Sequence, residues 1–318
     1  MSLRDGFNPF ACGEHHNYSL FIIRYSLGDD MDLTDYSEIR ALLTRHGFRF
    51  SKSLGQNFLT AAWVPERIAE EAGLDENTGV LEIGPGVGCL TEQLSLRAGK
   101  VLAVELDRAL RPVLAETLAG RDNAEVLFGD ILKQDIPALA AAHFPGLTPV
   151  VCANLPYNVT TPVLTALIEA ACFRRITVMI QREVARRICA GPGTADYGAF
   201  GLFVQWHCET ETLFDVPPSC FVPQPKVTSS VIRLTRRAQP PLPVSDEALL
   251  FRVIRAAFNQ RRKTLVNALS AGLGIGKDRL EDVLLSLGLD PKIRGEVLDI
   301  RGFVDITDEI HRRGAADL

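Results

Sequence analysis

The sequence predicts an α/β fold, a doubly wound and mostly parallel sheet, followed by a smaller all-helical C-terminal domain. Three observations predict it. Short apolar runs suited to buried strands alternate with helical patterns from Val80 onward. One such run enters a helix through a glycine turn, Gly84-Pro-Gly-Val-Gly88. A proline-rich break, Gln239-Pro-Pro-Leu-Pro-Val244, is followed by helical periodicity alone. Strand–helix alternation of this kind places helices on both faces of a parallel sheet.

Taken in order, the chain opens with positions 1–30, expected to be an extension without catalytic role or the product of a misplaced start, since Met31 begins a more ordinary N-terminus. Tyr18 to Leu27 is partly apolar, but Arg24 interrupts it, and it lacks the basic region and cleavage site of a secretory signal. His15-His16 reads as part of a polar terminus and not as a metal site. Ser37 to His46 predicts a short helix, and a second starts near Pro65 and ends at Gly73. Between them, Phe50 to Leu59 is polar and aromatic without clean periodicity. Strands are expected at Val80–Ile83, Val101–Glu105, Glu125–Phe128, Val150–Ala153, Ile176–Ile180 and Val231–Leu234. Helices are expected at Leu90–Ala98, Ala109–Leu118, Pro162–Ala171 and Glu183–Cys189. After the proline break, Ser245 is the expected cap of a helix whose apolar stripe runs from Leu249 to Phe258.

Composition narrows the function classes. A length of 318 residues suggests two domains, at about 100–200 residues each. The net charge of −5 argues against bulk electrostatic attraction to nucleic acid, so any such binding must use local basic patches. Seven scattered cysteines with no C-x-x-C pair fit a reducing, cytoplasmic setting and argue against zinc or a disulfide framework. No stretch is long enough to span a membrane.

The chemistry is read from the ends of the strands, where open α/β sheets bind ligands. The turn has the spacing G-x-G-x-G behind Glu82, unlike the G-x-G-x-x-G of dinucleotide sites. It looks like the S-adenosylmethionine (SAM) form of a nucleotide-binding turn, with a ligand-free structural turn as the alternative. Glu105 ends the next strand, where an acid can accept from both ribose hydroxyls. Asp130 ends the third and could accept from an exocyclic adenine amine, although strands also end in Asp for turn reasons.

The sharpest signal is Asn154-Leu-Pro-Tyr157 after the fourth strand. The exocyclic amine of adenine is a poor nucleophile, because its lone pair is delocalised into the ring. Acceptors at the Asn154 side chain and the Leu155 carbonyl would favour a pyramidal nitrogen aimed at a methyl sulfonium. Pro156 stiffens the loop, and Tyr157 offers a flat face to a flipped base. Such a reaction proceeds by positioning and in-line transfer, without metal or covalent intermediate. Phe221 is either the second wall of an aromatic sandwich around the base or a core residue in a rigid linker. Basic candidates for phosphate contact are Arg252, Arg255, Arg261, Arg262 and Lys263 in the helical domain. Others are Arg174, Arg175, Arg182, Arg186, Arg187, Lys226, Arg233, Arg236 and Arg237.

From Ser37 onward the chain resembles the ribosomal RNA adenine dimethyltransferases. The resemblance rests on Lys52-Ser-Leu-Gly-Gln-Asn-Phe-Leu59, Glu82-Ile-Gly-Pro-Gly-Val-Gly88, Val104-Glu-Leu-Asp107, Gly129-Asp130, Asn154-Leu-Pro-Tyr-Asn158, Gln181-Arg-Glu-Val-Ala185, Tyr197-Gly198 and Phe221-Val-Pro-Gln-Pro-Lys-Val227. Ala257-Phe-Asn-Gln-Arg-Arg-Lys-Thr264 is similar to the small-subunit branch. The resemblance implies a Rossmann-like SAM-dependent methyltransferase domain over 31–240, including an N-terminal cofactor-binding arm, and a helical rRNA-recognition domain over 241–318. It implies that Asn57, Leu59, Gly84, Gly86, Glu105, Asp130 and Asn154 line the SAM site, with Asn154, Tyr157 and Phe221 around the target adenine. It further implies dimethylation of two adjacent adenosines in a hairpin near the 3′ end of 16S rRNA, in the immature small subunit. No dimerisation element is visible, so a monomer is expected. Positions 1–30 have no counterpart in that family.

Other readings remain distinguishable. A 23S rRNA methyltransferase of the antibiotic-resistance type would share the catalytic motifs but lack Asn259-Gln-Arg-Arg-Lys-Thr264 and the long helical tail. An NAD-dependent oxidoreductase would want the G-x-G-x-x-G spacing and a catalytic acid or base near it. A non-catalytic assembly factor could keep the fold, but the intact Asn154-Leu-Pro-Tyr157 argues against lost catalysis.

Overall fold

The computed structural model describes residues 31–49 and 55–314, so the readings placed on residues 1–30 lie outside the described residues. Elements follow in the order α1 (Tyr36–Arg45), β1 (Phe58–Leu59), α2 (Trp63–Glu71), β2 (Thr78–Ile83), α3 (Cys89–Ser95), β3 (Lys100–Glu105) and α4 (Arg111–Thr117). Next come β4 (Ala124–Phe128), α5 (Ile136–His143), β5 (Thr148–Asn154), α6 (Thr160–Glu169), β6 (Arg175–Gln181), α7 (Arg182–Cys189) and α8 (Ala199–His207). The sheet ends with β7 (Cys208–Val216), β8 (Phe221–Val222) and β9 (Ser229–Arg236), before helices α9 (Glu247–Asn259), α10 (Leu265–Leu273), α11 (Lys277–Ser286) and α12 (Ile300–Arg312).

The seven-stranded sheet has the order β4-β3-β2-β5-β6-β9-β7. Its first five strands are parallel, and β9 and β7 run antiparallel to their neighbours. From β2 the chain winds outward through β3 and β4; it then returns to β5 and winds the other way. The crevice beyond the carboxyl ends of β2 and β5 is therefore the topological switch point, where such sheets bind ligands.

Side-chain alternation explains the layers. Val80, Val101, Val150 and Cys152 join one buried cluster with α1, α2 and α3. Leu81, Leu102, Val151 and Ala153 point the other way, into a second cluster with α5 and α6. Apolar residues on both faces require helices on both faces. A third cluster belongs to α9–α12, but it also takes in Tyr197, Leu202 and Trp206 from the α8 region. The Tyr197 hydroxyl donates to the Leu298 carbonyl at 2.9 Å, tying the two regions together.

The structure corrects several expectations. The cap of α9 is Asp246, whose side chain accepts from Leu249 N at 2.9 Å, whereas Ser245 only donates its own N–H to Asp308. The helix expected from Ala109 begins as a 3₁₀ turn over Arg108–Leu110. Helices α5 and α8 and strand β7 carried no clear periodic signal. Six of nine residues in β7 are polar or half-exposed, and among the described residues its far edge is unpaired. The segment ending at Leu59 gains its order from pairing: β1 forms a two-stranded antiparallel ribbon with β8, Phe58 opposite Val222 and Leu59 opposite Phe221.

Candidate active site

A cleft of about 1120 Å³, counting its open mouth, lies at the switch point. It is lined by the β1 arm, the glycine turn after β2, the ends of β3 and β4, and the loop after β5. Asn57, Leu59, Gly84, Gly86, Glu105, Asp130, Asn154 and Tyr157 all line it.

The glycine turn is built by backbone conformation. Gly84, Gly86 and Gly88 have φ of 71°, 63° and 96°, the left-handed region that glycine adopts without strain. A Cβ on Gly86 would lie 3.1 Å from the Phe58 ring, so a larger residue there would press on the arm as well as strain the backbone. Gly88 caps α3 and directs the helix N-terminus along the turn.

The acids are held by neighbouring N–H groups. Glu105 is 6 % exposed. One carboxylate oxygen accepts from Asp107 N at 2.7 Å and the other from Gly86 N at 3.3 Å. Burial pushes its carboxyl up to about 7, and those N–H groups oppose the rise. Asp130 accepts from Leu132 N at 3.0 Å and so caps the 3₁₀ turn that follows β4. Gln56 donates to Asp107 at 2.8 Å, which fastens the arm to the end of β3.

Glu82 is a surprise of burial. It is the next-to-last residue of β2, only 1 % exposed, yet it borders the cleft. Its Oε2 has no hydrogen-bond partner. Burial raises its carboxyl to about 8; the Thr91 hydroxyl opposes the rise and the Glu105 carboxylate adds to it.

The loop after β5 faces these acids across the cleft. Leu155 N donates to Met179 O of β6 at 3.1 Å, which sets where the loop leaves the sheet. The Pro156 carbonyl accepts from Val159 N and from Thr160 Oγ1, both at 3.2 Å, and this joins the loop to α6. Tyr157 reaches away from the loop, its hydroxyl 2.7 Å from Ser229 Oγ.

Three apolar residues were missed by sequence reasoning. Leu106 and Leu132 line the cleft while remaining 53 % and 42 % exposed, and Ile131 lies buried beside them. Their signal was available: each follows a strand-ending acid, Glu105 or Gly129-Asp130, and an exposed apolar side chain at a cleft marks a ligand surface.

Phe221 is not among the residues that line this cleft. It is 2 % exposed and belongs to the buried cluster that includes Phe58, Leu59 and Phe214. Its pairing with Leu59 in the β1–β8 ribbon turns it into the core, which is the second of the two alternatives left open by its spacing.

The basic residues also divide. Arg252, Arg255, Arg262 and Lys263 are exposed. Arg261 is not presented to solvent in the same way. Its guanidinium pairs with Glu296 at 2.7 Å and donates to Ala195 O at 2.6 Å and Thr194 O at 2.9 Å. Arg233, Arg236 and Arg237 likewise bond the carbonyls of Glu71, Ile168 and Gln205. Arg186 pairs with Asp196 at 2.7 Å, and Arg187 pairs with Glu183. Among the described residues no group of His, Cys, Asp and Glu could hold a metal ion, and no helix is long and apolar enough to cross a membrane.

Comparison with known proteins agrees with this geometry. The chain is 45 % identical over 284 residues to the ribosomal RNA small subunit methyltransferase A of Geobacillus thermodenitrificans, covering 88 % of this chain and 97 % of that one. It is 46 % identical over 285 residues to the protein of the same name from Shouchella clausii, covering 88 % and 96 %. Among solved structures it is similar to a dimethyladenosine transferase from Plasmodium falciparum, with TM-score 0.69, 26 % identity, and 80 % and 98 % of the two chains covered. It is also similar to the 23S rRNA methyltransferase ErmE, with TM-score 0.62, 27 % identity, and 80 % and 99 % covered. A family model described as ribosomal RNA adenine dimethylase matches residues 47–306, and the chain belongs to that family of rRNA methyltransferases.

Proposed function

We propose that the protein transfers methyl groups from SAM to N6 of two adjacent adenosines in a hairpin near the 3′ end of 16S rRNA, giving N6,N6-dimethyladenosine during small-subunit biogenesis. One observation carries the reading: the Asn154–Tyr157 loop opens onto the same cleft as Glu105 and Asp130. The similarity to proteins named small subunit methyltransferase A supports the choice of RNA.

The residues present fit SAM. The two Glu105 oxygens can accept from vicinal ribose hydroxyls. Leu106 and Leu132 offer apolar faces to a flat base, and Asp130 stands beside them to accept from its amine. The turn at Gly84 and Gly86 lets the backbone approach the ligand closely. When bound, SAM supplies an electrophilic methyl group on a positively charged sulfur.

The chain's own groups do the rest. Asn154 Oδ1 and the Leu155 carbonyl accept from the two N–H groups of the adenine amine. With its hydrogens held, two before the first transfer and one before the second, the nitrogen lone pair points toward the methyl group. Each N–C bond forms as an S–C bond breaks, and the amine loses one proton to solvent each time. Tyr157 gives the base a face to stack on. The acceleration comes from orientation, with the reacting atoms held in line.

The finer assignments belong to the same reading. Residues 31–240 form the methyltransferase domain, and 241–318 form a helical domain that contacts rRNA in the immature small subunit. Arg252, Arg255, Arg262 and Lys263 supply phosphate contacts there. The protein acts in the cytoplasm as a monomer. The test is methyl transfer from labelled SAM to unmethylated small subunits, with large subunits and naked 16S and 23S RNA in parallel and nucleoside mass spectrometry of the product. N6,N6-dimethyladenosine on small subunits alone is expected. Transfer to 23S RNA would move the chain to the resistance-type branch, and SAM binding without any transfer would make it an assembly factor.

A further inference from the structure

The direction of one strand brings an unforeseen residue against Tyr157, behind the cleft lining. The carboxyl ends of the parallel strands carry Glu105 and Asn154. Strand β9 runs the opposite way beside β6, so its first residue, Ser229, lies opposite Gln181 at the same edge of the sheet. Ser229 is 0 % exposed. Its place is fixed on both sides, by pairing with Gln181 of β6 and Val216 of β7. The preceding carbonyl, of Thr228, accepts from Arg182 N at 3.0 Å. Side chains alternate along a strand. Ser230 accordingly turns to the other face and donates to Asp215 at 2.5 Å, leaving Ser229 Oγ to meet Tyr157 Oη at 2.7 Å.

We propose that Ser229 is a positioning residue for methyl transfer, fixing where the Tyr157 ring lies through the hydrogen bond between the two hydroxyls. The inference rests on the reading that Tyr157 stacks on the target adenine. A tyrosine side chain on a loop turns about two torsions, and stacking fixes neither until the base arrives. A bond from the far end of the ring to a buried strand residue fixes the first beforehand, and with it where the ring lies; the hydroxyl sits on the axis of the second, which the base then sets. Burial also raises the Tyr157 phenol, which keeps its proton for this bond. The consequence is specific: a phenylalanine at position 157 would retain the stacking face and still be defective.

The experiment is single-turnover methyl transfer to unmethylated small subunits with Ser229→Ala, Tyr157→Phe, the double variant and Tyr157→Ala, alongside SAM affinity and thermal melting. Loss of the bond in either single variant is expected to slow transfer about 3- to 10-fold. The double variant should be no slower than the slower single. SAM affinity should stay within about two-fold in all of them, so the defect falls on the rate and not on binding. Ser229→Thr, which keeps the hydroxyl, should restore most of the rate. Tyr157→Phe transferring at the wild-type rate would overturn the proposal even if Ser229→Ala misfolds. Two single defects that multiply in the double variant would also overturn it. If Tyr157→Ala keeps full activity, the underlying reading of Tyr157 fails. If Tyr157→Ala is inactive while Ser229→Ala and Tyr157→Phe are normal, only the role of Ser229 fails.

Discussion

The two halves of the cleft are held in different ways. On the side of β3 and β4, each acid is fixed chiefly by residues next to it in the chain: Glu105 by Asp107 N at 2.7 Å, with a longer bond from Gly86 N at 3.3 Å, and Asp130 by Leu132 N. On the side of β5, the loop depends on distant partners, with Leu155 bonded to Met179 and Tyr157 to Ser229. The first half is a property of short sequence stretches. The second exists only once the sheet is assembled. Damage near the acids should therefore be local and read as binding, whereas damage near the loop should be read as rate.

The largest effect expected is on the buried cluster that packs against the β1 arm. Phe221→Ala removes a fully buried ring and should cost about 3–5 kcal/mol of stability, seen as a lower melting midpoint in urea. A variant of unchanged stability whose only defect is in transfer would return Phe221 to the cleft. Asn154→Ala should lower turnover about 10²- to 10³-fold, the cost of losing one group that contacts the reacting centre. Calorimetric SAM affinity should change little, and the opposite pattern would erase the distinction between the halves.

Glu105→Ala should weaken SAM binding about 10- to 100-fold, as expected for hydrogen bonds to a charged group. Wild-type affinity should itself weaken as pH falls below about 7, because burial raises this carboxyl and the protonated form loses an acceptor. Titration calorimetry at pH 6 and pH 8 would show it.

Glu82 gives a prediction with a sign. Its folded-state value of about 8 lies above the ordinary 4.5, so the folded chain holds a proton that the unfolded chain releases. Stability from this group is therefore complete below 4.5 and lost as pH rises through about 8. Glu82→Gln should melt about 3 °C or more above the wild type at pH 8, with the gap closing toward pH 5. The smallest effects belong to the basic segment. Arg261→Ala should lower the melting temperature by about 2–4 °C. Arg262→Ala should leave melting unchanged and weaken subunit binding in a salt-dependent way.

This contrast also explains what the sequence made legible. The parallel strands, the glycine turn, Glu105, Asp130 and Asn154 are each announced by local pattern, and all of these residues line the cleft. For Phe221 and Arg261, residue type and spacing do not say which way a side chain turns. Phe221 is turned inward by a partner strand far away in the chain, and Arg261 is held by Glu296 and two carbonyls. Ser229 left no mark at all, since nothing in a Ser-Ser pair reveals that β9 runs backwards. Leu106 and Leu132 were legible in principle and were passed over because exposed leucines are common.

The β1–β8 ribbon has a consequence for the order in which the molecule is made. Leu59 belongs to the arm that floors the cleft, and its strand partner Phe221 arrives only after six of the seven strands of the main sheet have been laid down in sequence. During synthesis the glycine turn and both acids therefore emerge long before the floor beneath them can close. Such distant pairings form late, because a long loop must be closed before they contribute. A nascent chain interrupted before Phe221 holds most of the cofactor-side residues but lacks the partner strand of its arm, so competence arrives in one late step.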